Sequence, residues 1–155
     1  MLVSANNRTP PLILDRLNSL LAVLYESKNT YEQLANTFNN KELSQSVFSL
    51  AQESKQYASE LSSQIQSLGG VAKDPEGEKQ FHQTNIQGDG ILSIREKEKA
   101  TLRYCATHEA SMVRAYREVL HEPFLHEGIR KMIRYQLNGI LFAFSRLKLL
   151  NASLT

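Results

Sequence analysis

The 155-residue chain reads as all-α: an antiparallel four-helix bundle with a long crossover between its second and third helices. Apolar residues recur at steps of three and four through four separate segments, which is the spacing of bundle-facing helices. The seven glycines and four prolines mostly cluster between those segments, leaving long uninterrupted helices. Two of the three connections are short and the other is long, the arrangement of a bundle with one crossover. At this length the chain is one domain, spanning residues 9–155 behind a loose tail at residues 1–8.

The first helix is expected over about residues 12–38. Thr9 is the candidate N-cap, and Pro10 and Pro11 suit a first turn, where a missing N–H costs nothing. Its stripe is Leu14, Leu17, Leu21, Leu24, Lys28, Tyr31, Ala35 and Phe38, with Lys28 as the one charged member. Asn39 and Asn40 are read as its C-terminal stop, since asparagine tolerates the left-handed conformation. The second helix, about residues 42–68, carries Leu43, Val47, Leu50, Ser54, Tyr57, Leu61, Ile65 and Leu68, and Gly69-Gly70 stops it. So short a turn makes the pair antiparallel and sets Lys28 opposite Glu53.

The segment from Gly69 to Gly90 is polar and punctuated by Asp74-Pro75 and Gly88-Asp89-Gly90. A linker of this length inside a compact domain needs a reason, and a crossover running the length of a bundle is one. Phe81 and Ile86 are the residues that would pin it. The third helix, about residues 91–120, has the stripe Ile91, Arg95, Glu98, Leu102, Cys105, Glu109, Met112, Tyr116 and Val119. Pro123 breaks the chain before a fourth helix over about residues 125–150. Its stripe is Ile129, Ile133, Gln136, Ile140, Ala143, Leu147 and Leu150, and further apolar residues stand outside it at Tyr135, Leu137, Leu141, Phe142, Phe144 and Leu149.

Four stretches carry a family resemblance. They are Tyr31-Glu32-Gln33-Leu34-Ala35, Ala58 to Gly70 (ASELSSQIQSLGG), Cys105 to Tyr116 (CATHEASMVRAY) and the helix holding Gln136-Leu137. Over most of Leu14 to Leu150 they resemble a family of small bacterial ferritin-like domains of unknown function. The resemblance implies a ferritin-like bundle, a long connection after the second helix, and a role linked to stress. It implies no particular reaction.

A carboxylate-bridged di-metal centre takes one Glu from each of two helices and a Glu-x-x-His pair from each of the other two. Here Glu53-Ser54-Lys55-Gln56 has Gln where His should be, and Leu141 and Phe144 occupy the matching pair in the fourth helix. Lys28 and Ala106 stand where the resembling family often carries acids. The donors left are Glu26, Glu53, His108 and Glu109, and a lysine among them opposes a dication. The expectation is therefore a buried polar layer of Lys28, Glu53, Ser54, Glu109 and Gln136 without metal. Lys28 would pair with Glu109 or Glu53, beside Tyr31, Tyr57 or Tyr116. The alternative is an iron- or manganese-binding protein of the ferritin and rubrerythrin type, and a third class is a small-molecule binder using the bundle interior.

Other chemistry is thin. The four histidines do not converge in sequence and read as surface residues. Cys105, the one cysteine, lies on an apolar stripe, where a thiol is normally inert. Gly88-Asp89-Gly90 lacks the strand and the lysine of a phosphate loop. The basic group Arg130, Lys131, Arg134, Arg146 and Lys148 reads as a solvated face. A net charge of +2 does not argue for nucleic acid or an anionic membrane. With no secretory h-region and no apolar run long enough to span a bilayer, a cytoplasmic domain is expected. No catalytic residue is assigned. Tyr135, Phe142 and Leu149 repeat at sevens outside the core stripe, which predicts a homodimer through the fourth helix unless the crossover covers them.

Overall fold

The computed structural model describes residues 9–74 and 93–153. It holds four helices, α1 (Pro11–Ala35), α2 (Lys41–Ser67), α3 (Ile94–Leu120) and α4 (Glu127–Ser153), with no strand among the described residues. Helix α1 packs on α2 and α3, and α4 packs on the same two, so α1 and α4 lie on one diagonal of the bundle. Contacts of Ser27 with His108 and of Arg16 with Glu122 show that α1 and α3 run antiparallel. Gln136 at Tyr57 and Gly139 at Glu53 show the same for α2 and α4.

That direction order explains the long connection. Val71, just past α2, sits on Asn18 near the start of α1, whereas Glu98 at the start of α3 meets Asn39 and Asn40 beyond the end of α1. The chain must therefore travel the length of the bundle between them. Its described first residues are laid on α1 by one amide: Asn18 Nδ2 donates to the Val71 carbonyl at 3.0 Å and its Oδ1 accepts from Lys73 N–H at 2.9 Å. Phe81 and Ile86, expected to pin the crossover, lie outside the described residues.

Local chemistry sets the helix ends, and it corrects three expected boundaries. Helix α1 begins after Pro10 with no side-chain cap, so Thr9 does not cap it. It stops at Ala35 rather than near residue 38, because Asn40 serves the next helix instead: its side chain accepts from Leu43 N–H at 3.1 Å as the N-cap of α2. Helix α3 starts at Ile94, not Ile91, because Ser93 caps it by accepting from Glu96 N–H. The Gly69-Gly70 stop is a paired C-terminal cap. Gly69 adopts φ 83° and donates to Gln66 O, and Gly70 donates to Ile65 O.

The core runs the bundle's full length through residues such as Leu17, Leu21, Leu24 and Tyr31 of α1, Leu50 and Leu61 of α2, Met112 of α3, and Ile133 and Phe144 of α4, all buried. Arg130 closes the α3–α4 corner. Its guanidinium donates to the carbonyls of Leu120 and Glu122 at 2.5 and 2.8 Å and pairs with Glu127 at 3.6 Å. These are end-of-helix acceptors that would otherwise lack donors, so Arg130 leaves the basic face to which its sequence context assigned it. No described helix is long and apolar enough to cross a membrane.

Candidate functional site: a hydrogen-bonded polar seam

The polar side chains that face the bundle axis form two hydrogen-bonded groups. In the first, Ser27 of α1 is fully buried and lies 2.7 Å from His108 Nε2 of α3. The Ser27 hydroxyl also donates to Val23 O at 2.8 Å. A hydroxyl has one proton, so His108 Nε2 must be the donor, which places the ring proton on that nitrogen. The ring stacks on Tyr104 at 6.2 Å and meets Tyr31 edge-on at 5.2 Å. Burial lowers the His108 pKa, opposed in part by the Glu26 carboxylate. The expected surface position of this histidine is thus corrected: it faces inward.

The second group ties α2, α3 and α4 together at Gln136, which is fully buried. Its Oε1 accepts from the Tyr116 hydroxyl at 2.9 Å, and its Nε2 donates to Tyr57 O at 3.2 Å and to Glu60 Oε1 at 3.1 Å. One amide thereby uses both its acceptor and both its donors. Beside it, the Tyr57 hydroxyl donates to Glu53 Oε1 at 2.8 Å. Burial drives the Tyr116 pKa well up, and burial together with the hydrogen bond to Glu53 does the same for Tyr57. Both phenols act as donors, not bases. Two buried hydroxyls, of Tyr31 and Ser54, have no hydrogen-bond partner among the described residues.

The charged members of the expected layer sit elsewhere. Lys28 is not at the buried centre; its side chain is 18% exposed and pairs with Glu32 one turn on at 3.8 Å, while Ser27 takes the inward position. Glu109, a shoulder residue of α3, gives its carboxylate to Lys148 of α4 at 2.9 Å. Glu53 is likewise half-buried on the shoulder of α2, bound to Tyr57, and Glu26 is exposed. Ser54 and Gln136 do face the axis. Sequence reasoning missed Ser27, Glu60 and Asn18. The available signal for Ser27 was a short polar residue seven, three and four positions from Leu20, Leu24 and Tyr31, a spacing as good as that of Lys28.

Whether a di-metal centre fits can be tested on these donors. The axis holds serine, amide, phenol and one imidazole already hydrogen-bonded to Ser27, whereas a carboxylate-bridged pair needs four acids and two histidines converging. Among the described residues no group of three or more His, Cys, Asp or Glu side chains gathers. The seam does not suit such a centre, and no chemistry is routed through one. Cys105, fully buried, has its thiol pushed up to about 12 by burial and is no nucleophile at neutral pH.

Fold and seam together define the class: an all-α four-helix bundle with a long connection after its second helix and a hydrogen-bonded polar seam in its interior. Residues 12–122 match the DUF2383 family, a domain of unknown function, and the chain belongs to that family. No curated protein matches it.

Proposed function

We propose that the chain is a ferritin-like bundle whose metal layer has given way to a structural polar seam, and that it works as a non-catalytic interaction module assembling through α4. The carrying observation is the row Tyr135, Phe142 and Leu149, exposed by 70, 66 and 72% on one side of α4. Large apolar side chains left in water in a row usually mark an interface. The row is also self-complementary. Phe142 has an apolar residue seven positions before it and seven after it, so antiparallel packing about a two-fold axis at Phe142 sets Tyr135 against the partner's Leu149. Asn138 and Ser145, both exposed between these positions, are small enough to let two helices approach.

Charge supports the same pairing. Exposed Lys131, Arg134 and Arg146 flank the row, and α2 beside it carries Glu42, Glu53 and Glu60. The described start of the crossover lies on α1, diagonal to α4. A stress-linked role would operate through this assembly rather than through metal chemistry.

Light scattering at micromolar concentration tests the reading, with metal analysis of protein purified without chelator. A dimer that Phe142→Glu converts to a folded monomer, with substoichiometric metal, is expected. A monomeric wild type, or one to two iron or manganese ions per chain, would overturn it.

A further inference from the structure

A cleft of about 320 Å³ opens between the first half of α3 and the second half of α4. Its floor is apolar, formed by Leu102, Cys105, Phe144 and Leu147, and the small Ala106 midway along the α3 wall leaves the space open. The rim is polar. Within it Lys148 and Glu109 neutralise each other through their 2.9 Å pair. That leaves Lys99 and Arg103 of α3, with the Asn151 amide of α4, along the opening.

Lys99 and Arg103 stand four residues apart on one helix face, where like charges repel and weaken the helix. Neither has an ion pair among the described residues. A cationic pair without an ion-pair partner among the described residues, at the mouth of an apolar cleft, suits a ligand with an anionic head and an apolar body. An anion between the two side chains would relieve the repulsion. The volume sets the rest of the ligand. A cavity of about 150 Å³ holds one benzene ring, so this one has room for a flexible chain of roughly eight to ten carbons.

We infer that this cleft binds a medium-chain alkyl carboxylate. The chain lies along Leu102, Phe144 and Leu147, and the head group is held by Lys99, Arg103 and Asn151. The site is separate from the assembly face, since Phe142 and Leu149 line the other groove of α4, against α2. It therefore stands or falls independently of the proposed dimer.

The test is titration of the uniformly ¹⁵N-labelled full chain with decanoate below its micelle concentration, followed by amide shifts. Saturable binding of one decanoate per chain is expected, with the largest shifts between residues 99 and 109 and between residues 144 and 151. The double variant Lys99→Glu/Arg103→Glu should weaken it at least tenfold. Ala106→Trp, which fills the cleft from a solvent-facing position, should do the same while leaving the helical circular dichroism unchanged. Decyltrimethylammonium, with the same chain and a cationic head, should bind at least tenfold more weakly than decanoate. Absence of saturable shifts, equal affinity for the cationic amphiphile, wild-type affinity in both variants, or shifts confined to the Tyr135–Phe142–Leu149 row would each overturn the assignment.

Discussion

Gly139 of α4 and the Tyr57 hydroxyl of α2 share one space: a Cβ on the glycine would overlap the phenol oxygen and press on Glu53 Oε1 at 3.0 Å. This accounts for a glycine in mid-helix, where it costs about 1 kcal/mol relative to alanine. The close approach lets the Tyr57 hydroxyl reach Glu53 at 2.8 Å beneath α4. Gly139→Ala should therefore destabilise the protein by about 1–3 kcal/mol despite its better helix propensity. In a Tyr57→Phe background the same substitution should cost at least about 1 kcal/mol less, because the obstructing oxygen is gone. Urea denaturation of the four proteins measures the cycle, and an equal cost with and without the Tyr57 hydroxyl would refute the steric account.

Gln136 joins three helices through one amide, so Gln136→Leu strands the Tyr116 hydroxyl in the core. A loss of about 2–4 kcal/mol is expected, combining the lost hydrogen bonds with the desolvated phenol. Adding Tyr116→Phe should recover part of it, since removing both partners is milder than removing one. Thermal or chemical unfolding of the single and double variants decides, and a double variant no more stable than Gln136→Leu alone would mean that the phenol is not what is stranded.

His108 links stability to pH. Burial lowers its folded-state pKa below the ordinary 6.5, so the unfolded chain binds the proton more readily. The stabilisation is complete above the unfolded value and is lost as pH falls below about 6.5 towards the folded value. Melting temperature should therefore drop between pH 7 and pH 5 with a component that His108→Gln removes. A ring titration by NMR at or above 6.5 in the folded protein would contradict the sign.

The two unpartnered hydroxyls predict an unusual gain. Burying a hydroxyl without a partner is unfavourable, so Ser54→Ala should stabilise the protein by about 1 kcal/mol, and Tyr31→Phe should be neutral to stabilising. Either change lowering the urea midpoint by the usual cost of a lost hydrogen bond would show that the hydroxyl has a partner.

Four helices, their short and long connections and most of the core were legible in the chain because apolar periodicity is a local property. Every stripe position of α2 from Leu43 to Ile65 is buried, and Gly69-Gly70 ends that helix. The exposed row on α4 was legible for the same reason, as Tyr135, Phe142 and Leu149 fall outside the stripe whatever the neighbours do. The polar seam was legible only in part. Ser54 and Gln136 lie on the stripes, but whether Ser27 or Lys28 faces the axis turns on the rotation of the helix, since each stands three or four residues from both Leu24 and Tyr31. Packing against α2 and α3 settles that rotation and turns Ser27 inward. The same limit applies to the bonds themselves. Gln136 finds Tyr57 and Glu60 across 79 and 76 residues of chain, and Ser27 finds His108 across 81. No local signal carries such pairings. They follow from the bundle's axial register, which the antiparallel packing of all four helices sets at once.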